Sequence, residues 1–201
     1  MIELNLNGYT DIPNGKVANI ATYLEMVGRP PLRPVPDTGL TLSPMSPPDL
    51  TRYKAIFKAV GEDWLWFSRL TMSDEELSKT INNPAVEIFT VQKNDTDIGL
   101  LEIELGDRKT MELGYFGLAE NTVGTGAGRF MMDQAIRRVF DHHGAKRFDV
   151  HTCTMDSPQA LAFYIRSGFI PYKRAIEVAD DPRLSGHVAR DKAQHHPIIG
   201  D

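Results

Sequence analysis

The sequence predicts an α+β fold built on one mixed, mostly antiparallel sheet flanked by helices. Three observations carry that expectation. Strand patterns at 87–92, 98–105 and 111–118 follow one another with only the turn formers Asn94-Asp95 and Gly106-Asp107 between them, the spacing of an antiparallel meander. A glycine-rich stretch, Val123 to Gly128, then joins the last of these strands to a helical pattern. Beyond it come a strand, a further helix and a closing strand, which makes the sheet mixed.

The elements follow in order. Lys16 to Met26 (KVANIATYLEM) carries Ala18, Ile20, Leu24 and Met26 on one parity, with Thr22 the exception, and so predicts a strand. Pro30, Pro31, Pro34 and Pro36 follow. Proline lacks the amide donor that a helix or central strand needs, so this stretch is expected to be a stiff linker. Residues 1–36 are accordingly expected to form an N-terminal extension, 37–178 the main domain and 179–201 a polar, loop-like tail. Gly39 to Ser43 reads as a short strand. Ser46-Pro47-Pro48-Asp49 is expected to open a helix running to about Val60, with Ser46 as N-cap, proline in the first turn and an acid three residues after the cap. Gly61 stands past its end. Ser73-Asp74-Glu75-Glu76 repeats the capping pattern for a short helix that stops before Pro84. After the meander and the glycine loop, Phe130, Ala135, Ile136, Val139 and Phe140 lie along one side of a helix that Gly144 ends. Arg147–Thr154 is the next strand, Ser157-Pro158 is expected to cap a helix through Ser167, Gly168 stops it, and Phe169–Val178 closes with a strand.

Composition bounds the function classes. At 201 residues and 41% hydrophobic, the chain is one globular domain, not a disordered chain or a fibrous repeat. No uninterrupted apolar stretch approaches the roughly 18 residues of a membrane span, and the first residues lack a signal-peptide pattern. The single Cys153 rules out an internal disulfide framework and points to a reducing cytoplasm. A net charge of −5 argues against a nucleic-acid partner, which a basic face would attract, and suits a cationic one. The six histidines show no metal-ligand spacing, so no metal is expected.

Gly124-Thr125-Gly126-Ala127-Gly128-Arg129 follows a strand and opens a helix. Closely spaced glycines let backbone approach a ligand, and free N–H groups at a helix start favour an anion such as a phosphate. A Rossmann fingerprint would need a parallel βαβ unit where this chain has a meander, and a Walker A loop would end Gly-Lys-Ser/Thr where this one ends Gly-Arg-Phe. Val123-Gly124-Thr125-Gly126-Ala127-Gly128 resembles the diphosphate loop of the GNAT superfamily of acyl-CoA-dependent N-acyltransferases, Gln/Arg-x-x-Gly-x-Gly/Ala. Val123 departs from the family's Gln or Arg, and Arg129 is available to supply the missing charge. A second stretch, Ser157-Pro158-Gln159-Ala160-Leu161-Ala162-Phe163-Tyr164-Ile165-Arg166-Ser167-Gly168-Phe169, is similar to the family's later motif, Asn-x-x-Ala-x-x-Phe-Tyr-x-Lys/Arg-x-Gly-Phe, with Ser157 at the Asn position. The likeness covers about residues 98–172 well and 39–97 loosely, and reaches neither the first 36 residues nor the tail.

The resemblance implies direct transfer of an acetyl group from acetyl-CoA to a primary amine, with both bound together. Such chemistry needs a base for the amine proton, N–H donors facing the carbonyl oxygen, an acid for the departing thiolate and close positioning of the reacting atoms. Glu112, eleven residues before Val123, stands at the offset of the general base in the histone-acetylating branch; Glu102 and Glu104, one strand over, are alternative bases or acceptor anchors. Phe116 and Leu118 are expected to offer backbone N–H groups to the thioester and the pantetheine arm, and the loop from Val123 through Gly124, Thr125, Gly126, Ala127 and Gly128 to Arg129 to hold the diphosphate. Tyr164 is the expected acid. Ser157 is expected to reach the pantetheine amide as well as cap its helix. Trp64, Trp66 and Phe67 fall where the family lines its acceptor side, so Trp64 is expected to flank the amine, while packing into the core is expected for at least one of the three. Cys153 reads as a small buried hydrophobe. A small cationic amine fits the acidic balance better than a protein tail. The rival reading is a non-catalytic acyl-CoA-binding module in which Val123 marks drift from catalysis; a third makes the 1–36 arm the contact of a homodimer.

Overall fold

In the computed structural model, which describes residues 3–31, 34, 37–122 and 124–200 together with all side chains in those spans but that of Asn121, the chain runs β1 (Lys16–Val27), β2 (Thr41–Pro44), α1 (Leu50–Gly61), α2 (Asp74–Ile81), β3 (Val86–Lys93), β4 (Thr96–Glu104), β5 (Thr110–Leu118), α3 (Ala127–Ile136), β6 (Arg147–Cys153), α4 (Ala160–Ser167) and β7 (Ile170–Asp180). All seven strands join one sheet in the order β2-β3-β4-β5-β6-β1-β7. Every pairing is antiparallel except β5 with β6, so the expected mixed, mostly antiparallel α+β plan is the fold observed.

Local chemistry sets most boundaries. Ser73 accepts from the Glu76 N–H at 3.3 Å while the Glu76 carboxylate accepts from the Ser73 N–H at 2.9 Å, a complete capping box that starts α2 as its sequence predicts. Helix α1 starts later than expected. Its cap is Asp49, whose side chain accepts from the Arg52 N–H at 2.7 Å, and not Ser46. Pro48 keeps Pro47 out of helical conformation, so no helix begins directly behind Ser46. At α4, Ser157 accepts from the Ala160 N–H on its carbonyl at 2.8 Å and from the Gln159 N–H on its hydroxyl at 3.5 Å, closing a turn ahead of the helix, which Gln159 caps without a side-chain bond. Helix α3 widens into a π-helical turn over Arg137–His142, which keeps Val139 and Phe140 buried before Gly144 turns the chain at φ +69°.

Both faces of the sheet are covered. Adjacent Leu100 and Leu101 are each fully buried yet point into different clusters: Leu100 meets Tyr53, Phe57, Leu77 and Ile81 of α1 and α2, while Leu101 meets Met131, Met132 and Ala135 of α3. The extension expected over residues 1–36 does not stand apart. Its strand, β1, lies between β6 and β7 and pairs antiparallel with both, from Lys16 opposite Asp180 to Val27 opposite Arg147. The expected alternation holds for only half of the strand: Leu24 and Met26 are buried, but Ile20 is exposed and Val17, Asn19 and Ala21 are buried in its place, the parity switching across the bulge between Tyr23 and Leu24. The strand's partners lie 120 residues or more away in sequence and leave no local trace. Pro34 apart, the linker beyond Pro31 lies largely outside the described residues.

The tail beyond β7 has no regular structure but is packed. Val188 and Ala193 are buried with Val17, Leu65 and Met155. Buried Arg183 ties it down, donating to Asp181 at 2.7 and 2.9 Å and to the carbonyl oxygens of Lys192, Ala193 and His196.

Candidate active site

Strands β5 and β6 run side by side only from Thr110 opposite Arg147 to Leu113 opposite Val150, and then separate. A bulge helps to open them: Tyr115 opposes Glu102 and Leu113 opposes Ile103, which leaves Gly114 unmatched. The Ala119 N–H donates to the Ile98 carbonyl at 2.8 Å, so the alternation of an antiparallel ladder turns Gly117 and Tyr115 towards β4 and Phe116 and Leu118 into the gap. Those two residues therefore present backbone N–H groups with no strand beside them.

The mouth of the gap is the start of α3. Gly124 and Gly126 sit at φ +84° and +93°, conformations that other residues rarely adopt. Thr125 fixes the turn by donating its hydroxyl to the Thr122 carbonyl at 2.7 Å. Gly126 caps the helix without a side-chain bond, and Phe130 makes the first bond back, to the Gly126 carbonyl at 3.0 Å. The N–H groups of Ala127, Gly128 and Arg129 thus have no carbonyl within the helix to pair with, and the positive end of the helix faces the opening. Gly124, Thr125, Gly126, Gly128 and Arg129 line one continuous cleft of about 1360 Å³ with Phe116, Leu118, Ser157, Phe163 and Tyr164. Val123 lies outside the described residues. Uncapped helix N–H groups at one end and free strand donors further in fit an elongated ligand carrying an anionic group and amides, which is the chemistry of acyl-CoA.

Tyr164 packs edge-on against Phe116, centroids 6.1 Å apart, and against Phe169. It is buried, its ring lines the cleft, and its hydroxyl makes no hydrogen bond among the described residues. Burial, with the charge of Asp156 adding to it, holds its phenol far above the ordinary range, so it stays protonated at neutral pH.

The cleft is also walled by Trp64, Leu65, Trp66, Phe67, His151 and the tail residues Asp191, Ala193, Gln194 and His195. Trp64 meets His195 edge-on at 5.6 Å. Trp66 is the one that packs inward: a Cβ on Gly61 would fall 2.6 Å from it and one on Gly117 2.8 Å, so both glycines make room for the indole. Its Nε1 donates to Asp156 at 2.9 Å, and Asp156 also accepts from the Thr152 hydroxyl and the Cys153 N–H. Burial pushes the Cys153 thiol up to about 11, which leaves it a thiol, in keeping with a small hydrophobe.

The three carboxylates separate. Glu102 is fully buried, accepting from the Tyr53 hydroxyl at 2.7 Å and from Arg69, and does not reach the cleft; as base or acceptor anchor it is corrected to a structural ion-pair partner. Glu104 is half-exposed, lies 3.7 Å from Arg69 and opposes Glu112 across the β4–β5 ladder. Burial and the charges of Glu112 and Glu102 raise its pKa. Glu104 and Glu112 line a shallow depression beside the main cleft. Glu112 does not line the cleft itself; its Oε1 lies 3.0 Å from Nδ1 of His151, which does. In the sequence His151 lies on the parity of Cys153 within its strand, with no partner marked for it. Asp156 and the tail wall carried no signal, because distant packing alone brings them here.

Among the described residues no group of His, Cys, Asp and Glu could hold a metal ion, and no helix is long and apolar enough to cross a membrane.

Comparison with known proteins places this geometry. The family model described as "Acetyltransferase (GNAT) family" matches residues 53–169, more than half of the chain. No curated protein matches. Among solved structures, a GCN5-related N-acetyltransferase from Sphaerobacter thermophilus is similar with a TM-score of 0.59 at 16% identity, over 81% of this chain and 52% of its own. A functionally unknown conserved protein from Staphylococcus epidermidis gives 0.56 at 14% identity, over 83% and 64%. A GNAT family acetyltransferase from Elizabethkingia anophelis with acetyl-CoA bound gives 0.52 at 18% identity, over 67% and 78%. At these identities the likeness is one of fold, and the chain spans less than two thirds of the length of the first two.

Proposed function

The chain belongs to the acetyltransferase (GNAT) family, and from that premise we propose that it moves the acetyl group of acetyl-CoA to a primary amine, both bound in one complex. The observation that carries this reading is the single cleft in which the uncapped α3 N-terminus and the free strand donors of Phe116 and Leu118 lie in line. In this reading the loop from Gly124 to Arg129 holds the diphosphate through its backbone, with the N–H groups of Ala127, Gly128 and Arg129 as donors, and Ser157 lies along the pantetheine arm. When bound, acetyl-CoA supplies an acyl group activated as a thioester. The Phe116 N–H is aimed at the charge that develops on the carbonyl oxygen. Tyr164 offers its proton to the sulfur. Glu112 belongs to the path by which the amine loses its proton.

The acceptor is read as a small cationic amine. Asp156, Glu177 and Asp191 line the cleft together with Trp64, a setting that favours an ammonium group and an apolar stem, while Asp63, also in the lining, is paired with Lys192 at 3.0 Å. A second copy of the chain suits the open edge of β7, where Ile176 and Val178 are half-exposed. That strand has Lys173 and Arg174 in one half and Glu177 and Asp180 in the other, so two-fold antiparallel pairing sets basic against acidic halves. Sedimentation of the protein should give a dimer that the reversal Lys173→Glu with Arg174→Glu dissociates; a monomeric wild-type protein ends the dimer reading.

The transfer reading is tested by calorimetric binding of CoA together with release of free thiol from acetyl-CoA. The amines would be butane-1,4-diamine, tyramine, an amino-acid amide and a lysine-containing peptide. Binding with amine-dependent thiol release is the expected result, strongest with the small cations. Binding without release by any amine would favour the non-catalytic acyl-CoA module, and absence of binding would overturn both.

A further inference from the structure

We propose that His151 is the group that takes the proton from the attacking amine, and that Glu112 is its positioning residue. The inference rests on the acetyl-transfer reading above and assigns the proton transfer within it. His151 is the first residue of β6 beyond the last β5–β6 pair, Leu113 with Val150, so its side chain stands where the two strands part. It lines the cleft together with Gly114, Tyr115 and Phe116, the strand segment that carries the free N–H of Phe116. Glu112 stands one residue before the parting point and outside the cleft, with its carboxylate 3.0 Å from Nδ1 of His151. A carboxylate bonded to Nδ1 fixes that nitrogen as the donor and leaves Nε2 as the basic one. Nε2 has no partner among the described residues.

The ring is held as well as addressed. Tyr23, directly opposite on β1, stacks on it with centroids 5.4 Å apart and planes 30° apart. Charged groups face the imidazole from every neighbouring element: Glu112 from β5, Glu104 from β4, Asp156 from the turn after β6, and Glu177 from β7. Against these stands Lys173, whose Nζ caps the Tyr23 ring at 3.8 Å. The hydrogen bond to Glu112 raises the imidazole pKa above its ordinary value; burial opposes it, and the charges of Glu112, Asp156 and Glu177 add to it. The base is thereby strengthened towards neutral pH, where general-base catalysis is most effective.

The step balances without a further reactant. The reacting amine attacks as the free base, having left its extra proton in solvent, and its nitrogen bonds to the acetyl carbon while the C–S bond breaks. Its departing proton goes to Nε2, and the sulfur takes the proton of Tyr164. The imidazolium then gives its proton to water, and the phenolate regains one from solvent. Glu112 keeps its charge throughout and balances the imidazolium.

Three measurements on the full chain test the assignment. Nuclear magnetic resonance of the imidazole in the free protein should show His151 titrating above its ordinary value, and Glu112→Gln should lower that pKa. With the best amine of the panel, His151→Gln should cut kcat/KM by roughly 10²–10⁴ and abolish its acidic limb, while CoA binding stays intact. Glu112→Gln should keep the limb but move it to lower pH, with a smaller loss, because Nε2 survives but is less basic. His151 is about half-exposed, so its replacement is compatible with folding, and His151→Asn gives a second variant of similar shape. A His151→Gln protein that keeps near-normal turnover and its acidic limb overturns the role while leaving acetyl transfer standing. Amine transfer absent from the wild-type protein itself overturns both.

Discussion

Glu102 and Glu104 are indistinguishable in the sequence, two residues apart and on one parity, yet one is sealed in the core and the other half-exposed. What separates them is Arg69, 33 residues earlier, which reaches Glu102 first, and Tyr53 behind it. Strand alternation reports which face a residue takes and is silent about what covers that face. Tyr164 shows the opposite case, since its motif placed it and the structure lines the cleft with it. Its hydroxyl bonds to nothing among the described residues, so Tyr164→Phe should leave the melting temperature within error. A phenol that secured the core would instead cost about 1 kcal/mol. Turnover per folded molecule should fall at unchanged CoA affinity, with thermal melting, calorimetry and thiol release read on the same preparation. Unchanged turnover would assign the proton donor elsewhere.

Among the elements, capping was readable where one local pattern decides it and misread where another turn comes first. Ser73 starts α2 as predicted, whereas Pro48 keeps Pro47 out of the helix and leaves the start to Asp49, and Ser157 closes a turn ahead of the start at Gln159. The start of α3 was legible because its glycines are needed for backbone reasons that sequence carries directly. A test of that element should avoid Gly126, whose φ of +93° strains any replacement. Gly128 has no such strain. A Cβ there would meet Phe163 at 3.6 Å and Leu118 at 3.7 Å, ordinary contact distances. Gly128→Val should therefore fold, while its branched side chain intrudes on the approach to the α3 N–H groups. CoA affinity should drop at least tenfold, about 1.4 kcal/mol, by calorimetry. Equal affinity in a folded variant would remove the diphosphate from this loop.

For the molecule as a whole, the local patterns yielded the strands, and the connection of β1 escaped them. A strand near the N-terminus of the chain fills the slot between β6 and β7, and the packed tail walls part of the cleft; neither is covered by the family match over residues 53–169. Removing residues 1–36 would strip β7 of the one strand it pairs with and expose the surfaces that Leu24 and Met26 bury. Each such side chain contributes about 1.5–3 kcal/mol, against a total stability of about 5–15 kcal/mol. The shortened chain should lose its cooperative thermal transition, as circular dichroism would show. A shortened protein that melts cooperatively near the wild-type temperature would restore the extension to an appendage. The central claim concerns where the acetyl group goes, and the direct measurement is a mass spectrum of butane-1,4-diamine after incubation with the protein and acetyl-CoA carrying an isotopically labelled acetyl group. The account predicts a diamine heavier by one labelled acetyl group, with one free CoA thiol formed for each amide. Thiol release that leaves the label as free acetate, or no labelled amide from any amine of the panel, would contradict it.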